Sequence, residues 1–77
     1  MPHVTVKMYA GRDRAAKQEL ADRIGEVMQD VLGYGPESVS IAIQDVAPSR
    51  WMTDVYEQDI TAHESELYKR PGYGPLA

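Results

Sequence analysis

Two short stretches of alternating residues, His3 to Tyr9 and Ser38 to Gln44, stand one helix apart, and that spacing restricts the fold more than any other feature of the chain. In the first, Val4, Val6 and Met8 alternate with His3, Thr5 and Lys7; in the second, β-branched Val39, Ile41 and Ile43 share one side. A two-residue period turns successive side chains to opposite faces, so each stretch predicts a half-buried strand. Gly11 ends the first pattern, and Asp13 can cap a helix by accepting from an otherwise unpaired amide. Ala16, Leu20, Ile24, Val27, Met28, Val31 and Leu32 then recur at three- and four-residue steps until Gly33 and Gly35, as one stripe turned to a core. A connection of this length joins parallel neighbours and is expected to cross right-handedly. The predicted fold is therefore α+β, built on a β-α-β unit.

Pro48 closes the second strand, and Ser49 or Thr53 can cap a second helix running to about Lys69. On that helix Tyr56, Ile60, His63 and Leu67 fall on one side, Pro71 and Gly72 stop it, and residues 72–77 read as loop. No composition shift divides the chain, so residues 1–77 are expected to form a single domain. Two parallel strands make a poor sheet, because both outer edges stay open and too little face is covered. A chain of 77 residues also hides only about 60 % of its unfolded surface. With no Cys for disulfides and two separated His, His3 and His63, self-association is the remaining way to complete such a fold, at least as a dimer.

The net charge of −4 opposes a phosphate-binding surface, so nucleic acid is not an expected partner. No apolar run approaches the roughly 20 residues of a membrane helix, and the opening MPHVTVKMYA lacks a leader's basic flank, so no membrane partner and a cytoplasmic location are expected. Phosphate loops, GxSxG elbows, Cys nucleophiles and metal-ligand spacings are all missing. Pro2 is what remains. Removal of Met1, which a small second side chain permits, would leave Pro2 as a secondary amine. Such an amine has a pKa of about 8, lowered by an apolar pocket or a neighbouring cation, and a base near the working pH contributes roughly 10²–10⁴ in rate.

The surroundings of Pro2 resemble a known family. Met1-Pro2-His3-Val4, the Ala10-Gly11-Arg12 turn before the capped helix, Ser38-Val39-Ser40-Ile41, and Trp51 shortly after it are similar to 4-oxalocrotonate tautomerases. The longer second helix and the KRPGYG ending resemble more closely the small dimeric PptA-type members. The likeness spans nearly the whole chain. It implies a homodimeric, cofactor-independent isomerase in which Pro2 moves a proton between oxygen and carbon of a 2-hydroxydienoate or an (aryl)enolpyruvate. It gives Arg12 the substrate carboxylate, often from a neighbouring subunit, a grip that suits a planar guanidinium. Trp51 would wall the pocket, although a lone Trp serves equally as a core plug. Ser40 stands where 4-oxalocrotonate tautomerase carries a second Arg, which favours a monocarboxylate and leaves Arg14, Arg50 or a tyrosine hydroxyl as candidates for the missing donor.

His3 follows the base and either tunes it or meets solvent or a partner chain; His63 reads as structural. Tyr9, Tyr34, Tyr56, Tyr68 and Tyr73 offer stacking area and hydroxyls for an interface. Two other functions stay open. Pro2 and Arg12 can serve hydration, dehalogenation or decarboxylation if an acid such as Asp45 or Glu57 positions water, and the chain can instead be a non-enzymatic dimeric module with an idle pocket.

Overall fold

The computed structural model describes residues 1–77. Its elements are strand β1 (His3–Tyr9), helix α1 (Arg14–Leu32), a 3₁₀ turn (Pro36–Ser38), strand β2 (Ser40–Val46), a second 3₁₀ turn (Pro48–Arg50), a π-helix (Met52–Ile60) and a closing 3₁₀ segment (Thr61–Glu66). Two compact units result, Met1–Val46 and Ala47–Ala77. None of the helices is long and apolar enough to cross a membrane.

The first unit is the expected β-α-β. Strands β1 and β2 pair in parallel from His3↔Ser40 to Tyr9↔Val46. This register puts Val4, Val6 and Met8 on the same face as Ile41, Ile43 and Asp45, and leaves His3, Thr5 and Lys7 beside Ser40, Ala42 and Gln44 on the other. Helix α1 covers the first of these faces: a Cβ added to Gly25 would lie 3.7 Å from Ile41 Cδ1, and Lys17 Nζ reaches Asp45 Oδ2 at 2.7 Å. Asp13 caps α1 as its sequence suggests, its side chain accepting from Ala16 N–H at 2.8 Å. At the other end Gly33 is left-handed and its N–H bonds Gln29 O.

Strand β2 begins two residues later than the alternation implies and also ends two later. Pro36 starts a 3₁₀ turn in which Val39 N–H returns to Pro36 O, and that turn absorbs Ser38. The α1 stripe also divides. Ala21, Ile24, Gly25 and Met28 are half-buried toward the sheet, whereas Leu20, Val27, Val31 and Leu32 stay exposed, Val31 by 74 %. The sequence shows one apolar arc, but a two-stranded sheet is too narrow to cover it. The sheet is open at both edges within the chain, and no residue of this unit is fully buried. That state is consistent with self-association.

The second unit contains the expected second helix, wound in π and 3₁₀ turns and ending three residues early. The chain from Met52 to Ile60 is wound in π turns, with Thr61 N–H reaching back to Tyr56 O, and helical structure stops at Glu66 rather than Lys69. Neither predicted cap operates: Thr53 lies inside the helix and its hydroxyl donates to Arg50 O, the backward bond that helical threonines commonly make, while Ser49 sits within the Pro48 turn. His63 leaves helical geometry (φ −120°, ψ 32°), which turns it out of the predicted stripe to bond Glu66. Tyr56 and Val55 are the buried pair of this unit, with Ile60 and Leu67 half-buried.

Candidate active site

Pro2 precedes the first strand and is half-buried. Its carbonyl accepts Ser40 N–H at 3.2 Å, extending the β ladder one step beyond His3. Met1 is 89 % exposed. While Met1 is attached, the Pro2 nitrogen is an amide whose lone pair is delocalised into the carbonyl, and it is not a base.

Ser40 opens β2 opposite His3, and the shared register brings their side chains together: Ser40 Oγ lies 2.7 Å from His3 Nδ1. The other ring nitrogen, Nε2, lies 3.3 Å from Thr5 Oγ1 on the same uncovered face. Pro2, His3, Thr5 and Ser40 thus form one group at the start of both strands.

Arg12 lies elsewhere. Gly11, at φ +129°, makes the turn after β1 that an L side chain rarely adopts, and exposed Arg12 follows it just before the capping Asp13. Seven residues of extended strand separate the two ends of β1, roughly 20 Å at about 3.3 Å each, so Pro2 and Arg12 of one chain stand at opposite ends of it. Arg14, the first residue of α1, lines an open groove of about 220 Å³ with Lys17, Gln18, Ala21, Ile41 and Ile43. No acidic residue occupies the first turn of α1, so Arg12 and Arg14 add to the positive end of the helix dipole with only the capping Asp13 to offset them.

Trp51 belongs to the second unit, between the Pro48–Arg50 turn and the π-helix, and is half-buried. Its indole Nε1–H donates to Tyr73 Oη at 2.8 Å. The Tyr73 ring meets Tyr56 edge-on, centroids 5.2 Å apart, and Tyr56 Oη both donates to Tyr73 O and accepts from Leu76 N–H. The tail that reads as loop is therefore fastened to an aromatic cluster, and Tyr73 orients the Trp51 ring. Among the alternative site residues, Arg50 is held by Asp54 through two hydrogen bonds and Asp45 by Lys17.

A family model described as tautomerase enzyme matches residues 2–57, which include Pro2, Arg12, Ser40 and Trp51. The chain belongs to the tautomerase family. It is an isomerase of that class. This tautomerase is 51 % identical to a probable tautomerase of Xylella fastidiosa over 77 residues, all of this chain and 94 % of that one. It is 36 % identical to the tautomerase PptA of Cronobacter sakazakii over 95 % of its own length and 97 % of the relative's. Among solved structures, its fold resembles TomN, a 4-oxalocrotonate tautomerase homologue in the tomaymycin biosynthetic pathway, with a TM-score of 0.64 over 65 % of this chain and 77 % of that one at 24 % identity. It also resembles YwhB, another 4-oxalocrotonate tautomerase homologue, with a TM-score of 0.58 and 30 % identity over 60 % and 75 % of the two chains.

Two features of the tautomerase escape a reading of its sequence. One is the Ser40–His3–Thr5 contact, which depends on strand register; the available signal was that both strands open on a polar residue with its side chain turned from the helix. The other is the Tyr73–Trp51 bond, whose partners are 22 residues apart.

Proposed function

We propose that this tautomerase interconverts the enol and keto forms of a 2-hydroxydienoate or an (aryl)enolpyruvate, with Pro2, freed by removal of Met1, as general base and without a cofactor. The observation that carries the reading is the fixing of half-buried Pro2 by Ser40 N–H next to an exposed Met1. Removing Met1 converts an anchored amide into an anchored secondary amine. The neutral amine takes a proton from one end of the substrate's three-atom enol system and returns one to the other, so no net proton is consumed.

Arg12 binds the substrate carboxylate in this reading. Because Pro2 and Arg12 of one chain lie roughly 20 Å apart, the Arg12 at a given Pro2 comes from a second copy, and the active species is a homodimer or a larger assembly. The exposed Leu20, Val27, Val31 and Leu32 and the open sheet support self-association. The family resemblance gives Trp51 the role of an apolar wall, and such a wall disfavours the charged form of an amine base. One guanidinium and a neutral Ser40 suit a monocarboxylate better than a dicarboxylate. We place the protein, acting as one functional domain, in the cytoplasm. Asp45, tied to Lys17, is poorly disposed to position water for a hydratase or dehalogenase.

The test begins by weighing the purified protein by mass spectrometry to verify that Met1 is gone. Ketonisation of phenylenolpyruvate and 2-hydroxymuconate is then followed by ultraviolet absorbance for the Met-free protein and for Pro2→Ala. The expected result is turnover well above buffer that falls by at least about 10²-fold in Pro2→Ala. Equal rates for the two proteins would sink the assignment of Pro2 as base.

A further inference from the structure

Keto–enol exchange builds negative charge on the substrate oxygen, and a donor already fixed beside that oxygen stabilises the charge without rearrangement. The first unit holds one hydrogen-bonded group of side chains next to Pro2, on the sheet face that α1 does not cover. Ser40 ties down the Pro2 carbonyl through its backbone, its Oγ lies 2.7 Å from His3 Nδ1, and His3 Nε2 lies 3.3 Å from Thr5 Oγ1.

A neutral imidazole has one N–H and one lone pair, so these three side chains can be ordered in two ways. In one, the Ser40 hydroxyl gives its proton to His3 Nδ1 and presents only lone pairs to a ligand. In the other, Thr5 donates to Nε2, Nδ1–H donates to Ser40 Oγ, and the Ser40 proton points outward. An approaching oxygen that gains negative charge favours the second order, because donors in series polarise one another. The two orders are the two imidazole tautomers, with the ring proton on Nε2 in the first and on Nδ1 in the second, so passing between them gives up one ring proton to solvent and takes one back, and the count of protons is unchanged.

We propose that Ser40 Oγ–H is the donor to the enol or keto oxygen of the substrate, and that His3, steadied by Thr5, is a positioning residue that turns this hydroxyl outward. The proposal rests on Pro2 as the base, and it narrows the substrate class. A neutral donor at the oxygen leaves Arg12 as the one cation, so the ligand carries a single carboxylate and an uncharged remainder.

The experiment uses the Met-free full chain with phenylenolpyruvate, and measures kcat and KM for Ser40→Ala, Ser40→Thr, His3→Ala, His3→Asn, the Ser40→Ala/His3→Ala double variant and Pro2→Ala. Circular dichroism verifies that each is folded. Ser40→Ala and His3→Ala are each expected to lower kcat by about 10²-fold with KM changed by less than about threefold. Ser40→Thr should restore most of the rate, and His3→Asn, whose amide can still donate to Oγ, should exceed His3→Ala. The double variant should lose no more than Ser40→Ala alone, since His3 acts through Ser40. Additive losses, or His3→Asn no better than His3→Ala, would show that His3 only supports the fold and would overturn the proposal. So would Ser40→Ala within about twofold of the parent while Pro2→Ala is inactive, an outcome that leaves the Pro2 reading standing. Full activity in Pro2→Ala would remove both.

Discussion

The two units of the chain reach stability by different routes. The larger, Met1–Val46, has regular elements joined by a parallel ladder, yet none of its residues is fully buried. The smaller, Ala47–Ala77, is wound in 3₁₀ and π turns and contains both buried residues of the chain, Val55 and Tyr56. Regular hydrogen bonding thus does not coincide with burial. The first unit has its backbone partners and lacks apolar cover; the second has less regular backbone and is held by Tyr56, whose hydroxyl bonds two tail groups at once. The surface left uncovered is where the proposed site and the proposed second copy both belong.

Four measurements bear on this contrast. The largest expected effect is in the second unit. Tyr56→Ala should cost about 3–5 kcal/mol, read by urea denaturation, because it removes a buried ring together with the partner of Tyr73 O and Leu76 N–H. A loss below about 1 kcal/mol would mean that Tyr56 does not anchor the unit. Next comes concentration, which tests the first unit. If a second copy supplies its cover, hundredfold dilution should lower apparent stability by about 2.7 kcal/mol and split the species seen by analytical ultracentrifugation. A midpoint independent of concentration would show that the unit stands alone.

Gly74→Ala is expected to cost about 2 kcal/mol, since Gly74 sits at φ +72° and an added Cβ would lie 2.7 Å from Cε2 and Cζ of the Tyr56 ring. Indole fluorescence should shift with it if Tyr73 orients Trp51. Smallest is Asp13→Ala, which removes the α1 cap for about 1 kcal/mol and should leave indole fluorescence unchanged. An indole response as large as that of Gly74→Ala would show that loss of the Asp13 cap is not a local effect on α1.

The β-α-β unit was legible because its signals are local. Alternation gave β1 to the residue, and Asp13 and Gly33 marked the ends of α1 through bonds that span three or four positions. The start of β2 was displaced because Pro36 can open either an extended segment or a turn, and only the Val39 to Pro36 hydrogen bond decides. The second helix was placed in the right region, and its winding was not legible. Its apolar spacing fits an ordinary helix, and what distinguishes π turns is a backbone bond pattern that leaves no periodic mark. Pro2, Arg12, Ser40 and Trp51 were legible in the sequence as candidates, one residue at a time. How Pro2 stands to Ser40 and to Arg12 was not legible, because the His3↔Ser40 register and the distance along β1 belong to the folded ladder.

The fastening of Tyr56 to Tyr73 and Leu76 has a bearing on synthesis at the ribosome. The β1–β2 ladder is complete once Val46 has emerged, so its backbone bonds can form while later codons are still being read. The smaller unit lacks its closing hydrogen bonds until Leu76 is free, which exposes the Tyr56 ring to chaperones and proteases for that interval. A slow codon or a pause placed between these two stages would lengthen the lifetime of a half-made chain whose first unit is ready to associate and whose second is not.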